Sequence, residues 1–176
     1  MPKVNYLGTR YEIYGELPTI GSRGADVSLV NTDLRDMTLA NWTGKRKILN
    51  IFPSIDTPIC AKSVVAFDKL SEGHDDLAML MISYDLPFAH LRFREEHKLE
   101  RVVQLSAIRH AGFGENYGVL ITEGPLAGMF ARAIIVLDEN DTVVYEQLVD
   151  DIWNEPDYEA ALAALGIKAD IDLVCD

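Results

Sequence analysis

Apolar positions along this chain come in short runs separated by polar segments. Residues 47–52 (KILNIF) and 77–83 (LAMLMIS) are hydrophobic at nearly every position. Runs of this length predict strands buried on both faces. Residues 102–106 (VVQLS) predict a third strand, and 27–30 (VSLV) a shorter one. Between these runs the period changes. In residues 61–71 (AKSVVAFDKLS) Val64, Phe67 and Leu70 recur every three positions, a helical step. Residues 87–99 (PFAHLRFREEHKL) predict a second, amphipathic helix with Pro87 in its first turn.

The remaining segments are read by their turns. Residues 3–15 alternate loosely around Gly8-Thr9 and predict a small N-terminal hairpin. Residues 17–26 (LPTIGSRGAD) are turn-rich, and 31–47 continue in short pieces. Residues 111–118 predict a short helix or turn. Residues 131–138 (ARAIIVLD) and 143–150 (VVYEQLVD) flank the polar turn ENDT and predict a second hairpin. A last helix is expected over 155–165, stopped by Gly166, with an acidic tail over 167–176. Strands alternating with helices, closed by a hairpin and a helix, predict an α/β sandwich around a mixed sheet. At 176 residues and 48% hydrophobic, the chain is expected to form one domain over residues 1–176.

Charge narrows the partners. The formal net charge is −12, so the surface repels nucleic acid and anionic membrane. No apolar run approaches the roughly 18 residues of a membrane span. The start, MPKVNYLGTRYEIYG, lacks the apolar core of a secretory signal. Two cysteines far apart make no disulfide framework. A cytoplasmic setting with reduced thiols is therefore expected.

The candidate chemistry lies at FPSIDTPIC, residues 52–60. With Thr57 as helix N-cap, Pro58 falls at the first helical position and Cys60 in the first turn. Unpaired amides and the helix dipole favour negative charge there, which suits a reactive thiolate. An unpaired cysteine is also often a small, inert, buried side chain, and the pattern alone leaves both readings open. TPIC resembles a CxxC redox motif with threonine in the first cysteine's place, so no disulfide forms within it. His74, His90, His97 and His110 show no metal-ligand spacing, and no phosphate-binding glycine loop is present. A Cys–His hydrolase would need one of these histidines beside Cys60.

Several stretches together carry a family resemblance. They are the spacing Pro53-x-x-x-Thr57-x-x-Cys60 within NIFPSIDTPIC, then SYDLPFAHLRF (83–93), GPLAGMFARAIIVLDEN (124–140) and QLVDDIWNEPDYEAAL (147–162). In this order, over residues 3–166, the chain resembles the bacterial thiol peroxidase (Tpx) group of peroxiredoxins. The resemblance implies a thioredoxin-like fold with an added N-terminal hairpin. It implies that Cys60 attacks a hydroperoxide and becomes sulfenic acid. Thr57 would hold the peroxide oxygens, Pro53 would close the pocket, and Arg132 would be the active-site arginine. It further implies hydrogen peroxide and organic hydroperoxides as substrates, a homodimer, thioredoxin as reductant, and no metal or organic cofactor.

One position departs from the group. Its resolving cysteine falls here on Arg94, which forms no disulfide. Three readings follow: a one-cysteine peroxidase resolved by an external thiol, resolution by Cys175 in the tail, or a peroxide sensor with poor turnover. The first is preferred. Arg94 turned inward would add positive charge near Cys60; turned outward, it would be a solvent-facing helix residue.

Overall fold

The computed structural model describes residues 2–170. The tail from 171 onward, with Cys175, lies outside the described residues, so its resolving role is not addressed by the geometry. The elements run β1 (Lys3–Tyr6), β2 (Thr9–Tyr14), β3 (Leu29–Asn31), β4 (Asp36–Met37), a 3-10 turn (Leu39–Trp42), β5 (Arg46–Ile51), α1 (Pro58–Leu70), β6 (Leu77–Ser83), α2 (Pro87–His97), β7 (Val103–Ser106), α3 (Phe113–Asn116), β8 (Leu120–Ile121), β9 (Ala133–Leu137), β10 (Val143–Leu148) and α4 (Tyr158–Ala163).

Seven strands form the central sheet in the order β10-β9-β5-β6-β7-β3-β4. Its middle, β5, β6 and β7, is parallel, and β9, β10, β3 and β4 join antiparallel. All seven residues of β6 are buried. That follows from a strand covered on both faces, and it is why KILNIF and LAMLMIS read as continuous apolar runs. Side chains alternate between the faces. Ile48, Met79, Met81, Ile134 and Val136 pack with Val64 and Phe67 of α1 and with Tyr158 and Leu162 of α4. Leu49, Leu80, Ile82, Ile135 and Leu137 point the other way, toward Phe113 and Tyr117. Each such fully buried side chain contributes roughly 1.5–3 kcal/mol. The architecture is a thioredoxin-like α/β fold with a mixed sheet and an N-terminal hairpin.

The hairpin turns at Leu7-Gly8, one residue earlier than the sequence suggested, and pairs Tyr6 with Thr9. Both turn residues have positive φ, 52° and 80°, the twist that a two-residue hairpin prefers. β8 adds a third strand to this small sheet. Val4, Ile13, Ile121, Ala131 and Ile152 form a separate core beneath it. Other boundaries also differ from the sequence reading. α2 stops at His97 because Lys98 turns left-handed, with φ 52°. α4 begins only after Asp157, whose side chain accepts the Ala160 amide at 2.9 Å. Ala131 and Arg132 precede β9 rather than belonging to it.

Candidate active site

The parallel centre of the sheet brings strand ends together. β5 leads through Phe52 and Pro53 into the loop Ser54-Ile55-Asp56, and α1 follows. Thr57 is the helix N-cap in extended conformation, with Pro58 at the first positions of the helix, as the spacing predicts. Its hydroxyl does not cap an amide. It donates instead to the Ser54 carbonyl at 3.1 Å. The first-turn amides are thus not claimed by the cap, and the hydroxyl keeps its lone pairs for another donor.

Cys60 is 0% exposed. Arg132 reaches it from the position just before β9. β9 pairs with β5 so that Ala133 faces Ile51, which sets Arg132 beside the end of β5. Its guanidinium is also buried, at 1% exposure. Nη2 lies 3.3 Å from Cys60 Sγ and donates to the Ile152 carbonyl at 3.0 Å. Among the described residues, Nε and Nη1 of Arg132 are buried without a hydrogen-bond partner. Pro53, Thr57 and Arg132 line a pocket of about 170 Å³, walled by Tyr6, Ile59, Leu126, Met129, Ile152 and Trp153. Arg132 therefore joins pocket and sulfur: it lines this pocket with Pro53 and Thr57 and contacts the buried Cys60 sulfur behind it. Tyr6 stacks on Trp153, with ring centroids 6.0 Å apart, so the N-terminal hairpin contributes to the pocket wall.

A second set of side chains holds the loop. The Asp85 carboxylate accepts from Ser54 Oγ at 2.8 Å, the Ile55 amide at 2.7 Å and Ser83 Oγ at 2.6 Å. Arg92 of α2 pairs with Asp56 at 2.5 Å. Behind Asp85, His90 is fully buried. Its Nε2 is 3.1 Å from Ser83 Oγ, and its Nδ1 is 3.4 Å from Gln104 Nε2. Burial pushes the His90 imidazole down to about 4, against the opposing pull of Asp85 and Asp56. Tyr158, buried and bonded to Glu155, is held above the usual phenol range. Ser54, Ser83 and Asp85 carry no site signal in the sequence, and His90 stands there only as one of four histidines without ligand spacing. The available signal was topological: residues 83–85 end a strand parallel to β5, and ligand sites form where such ends converge.

The remaining candidates lie elsewhere. Arg94 is exposed and donates Nε to the Leu99 carbonyl at 3.3 Å, so it faces outward near the end of α2. His97 stacks on Phe93, and His110 approaches Asp36 at 3.4 Å. The buried histidine, His90, bonds to Ser83 and Gln104, which gives no support to a Cys–His hydrolase. Among the described residues no group of three His, Cys, Asp or Glu side chains could hold a metal ion. No described helix is long and apolar enough to cross a membrane.

Comparison with known proteins places this site in a family. The Redoxin family model matches residues 19–162. The thiol peroxidase of Corynebacterium glutamicum is 45% identical over 165 residues, covering 94% of this chain and 99% of that protein. The thiol peroxidase of Mycobacterium bovis is 45% identical over 166 residues, with the same coverage. The crystal structure of a peroxiredoxin-like protein from Aquifex aeolicus superposes with a TM-score of 0.87 at 32% identity, covering 93% of this chain and 96% of that one. A thiol peroxidase from Chromobacterium violaceum superposes with a TM-score of 0.85 at 27% identity, covering 93% and 95%. The chain belongs to the redoxin family and, within it, to the bacterial thiol peroxidase type of peroxiredoxin.

Proposed function

We propose that this peroxidase reduces hydrogen peroxide and organic hydroperoxides with Cys60 as the attacking sulfur, and that an external thiol completes the cycle. One observation carries the reading: a buried guanidinium lies 3.3 Å from the sulfur, and two of its donors have no partner among the described residues. A buried cation is costly without a charged partner, and an anionic Cys60 is the partner within reach. The two free donors suit the oxygens of a peroxide.

The chemistry then follows. The Cys60 thiolate attacks the terminal, hydrogen-bearing oxygen of ROOH. An S–O bond forms, the O–O bond breaks, and its electron pair leaves on RO⁻, which takes a proton to give the alcohol or water. Nε and Nη1 of Arg132 stabilise charge on the departing oxygen. Thr57, whose own proton is committed to Ser54, accepts the O–H of the peroxide. Pro53 offers no N–H and closes one side of the pocket. The apolar wall of Ile59, Leu126, Met129 and Trp153 suits the carbon group of an organic hydroperoxide.

The product is Cys60 sulfenic acid. A thiol then condenses with it, releasing water and leaving a mixed disulfide. A second thiol displaces the first, restoring Cys60 and yielding the oxidised reductant. Thioredoxin or another cellular thiol supplies both in a reducing cytoplasm. Arg94 excludes the resolving step usual at its position. Exposed Leu86, Phe88 and Leu91 at the start of α2 suit the surface of a homodimer.

Stopped-flow mixing of reduced parent and C60S protein with peroxide tests the assignment. Rapid consumption by the parent alone is expected, and equal consumption by both rejects Cys60. Multiple turnovers with thioredoxin or a small dithiol separate this reading from a stoichiometric sensor.

A further inference from the structure

A directed chain of hydrogen bonds runs beneath the active-site loop, from β7 through α2 to Asp85. Its members Gln104, His90 and Ser83 are 3%, 0% and 0% exposed. The direction follows from counting protons. Ser83 has one hydroxyl proton, and the shorter of its contacts, 2.6 Å, goes to the Asp85 carboxylate. Its 3.1 Å contact with His90 Nε2 must then run the other way, with the ring nitrogen donating. A neutral ring protonated at Nε2 leaves Nδ1 as an acceptor, facing the Gln104 amide nitrogen. The same carboxylate holds Ser54 and Ile55. Ser54 in turn supplies the carbonyl that orients the Thr57 hydroxyl.

We propose that His90 is a positioning residue for the peroxide reaction: its Nε2–H, donated to Ser83, commits the Ser83 hydroxyl to Asp85 and so fixes the loop that aims Thr57 beside Cys60. This rests on the reading of Cys60 as the reacting sulfur. His90 touches neither the sulfur nor the pocket; it acts through Ser83 and Asp85. The inverse arrangement, with the proton on Nδ1, would turn the Ser83 proton toward His90 and leave Asp85 without it.

The test compares parent, H90F and H90Q in stopped-flow oxidation without reductant, after thermal melts confirm that each is folded. Phenylalanine fills the space without a donor. Glutamine restores an N–H. The rate constant for peroxide should fall about fivefold in H90F, the worth of one lost neutral hydrogen bond. It should return to within roughly twofold of the parent in H90Q. The rate of thiol reduction of oxidised Cys60 should not change. Nitrogen-15 NMR of the parent should show the His90 proton on Nε2. If H90F does not fold, S83A takes its place with the same expected slowing. Parent-like rates in H90F, equal slowing in H90Q, or a proton on Nδ1 would each overturn the proposal. A parent that leaves peroxide unreacted would instead reject Cys60, and the NMR result would still judge the His90–Ser83 arrangement.

Discussion

Replacing Arg132 by methionine keeps much of the side chain's length and removes its charge and all of its donors. The change has two consequences of different kind. Loss of Nη2 takes away the contact with Cys60 Sγ at 3.3 Å and leaves the Ile152 carbonyl without its 3.0 Å donor. That cost is shared by the resting sulfur and the reacting one, so only part of it appears in the rate. Loss of Nε and Nη1 is different. Among the described residues they are buried without a partner, and in the proposed reaction the oxygens that use them are those of the substrate. Donors that pair only as charge develops act on the barrier itself, and one such donor is worth about 2.7–4 kcal/mol. R132M should therefore react with hydroperoxide roughly 100- to 1,000-fold more slowly. R132K keeps the charge without the planar fork and should fall between the two. The assay is single-turnover stopped-flow with excess peroxide, followed by the fluorescence of Trp153 in the pocket wall. R132M within about threefold of the parent would refute the reasoning, because no transition-state donor is worth so little.

Three further outcomes are expected. Thr57→Val removes the hydroxyl proposed to accept the peroxide O–H and should slow peroxide oxidation roughly ten- to 100-fold, while Thr57→Ser should stay within about threefold, measured by the same mixing experiment. Asp68 of α1 is buried and accepts the amides of Glu100, Arg101 and Val102 at 3.1, 2.8 and 3.0 Å. Asp68→Ala strands those donors and should cost about 2–3 kcal/mol in urea unfolding. His90, held at about 4 against an ordinary 6.5, makes stability depend on pH. As pH falls the unfolded chain binds this proton first, so the contribution is complete above about 6.5 and is lost on the way down to about 4. Between about pH 7 and about pH 5 the parent should lose about 2 kcal/mol more than H90Q, and equal losses would reject a buried neutral His90.

The sequence made some of this visible and concealed the rest for physical reasons. The placement of Thr57 at the helix start and Cys60 in its first turn was legible because a buried strand, a proline and a helix start are local signals. The central strands were legible because burial on both faces writes a continuous apolar run. Arg132 emerged only through family resemblance. Its contact with Cys60 spans 72 residues and depends on the register of β9 against β5, which no local pattern encodes. Asp85, Ser83 and His90 were hidden for the same reason: each is ordinary in its own segment and becomes informative once parallel strand ends are side by side. β8 is two residues long, too short for a period to show. The end of α2 is set by a left-handed lysine, a residue that carries no stop signal of its own. The role of Arg94 was legible as a loss, and the structure adds that its side chain serves the end of α2 rather than the sulfur.

Peroxide reduction by this protein depends first on the fate of one sulfur. Reduced protein treated with one equivalent of hydroperoxide, trapped with a sulfenic-acid reagent and mapped by peptide mass spectrometry, should carry the adduct on the peptide containing Cys60, with one alcohol or water formed per peroxide lost. An unmodified Cys60 beside unconsumed peroxide would contradict it.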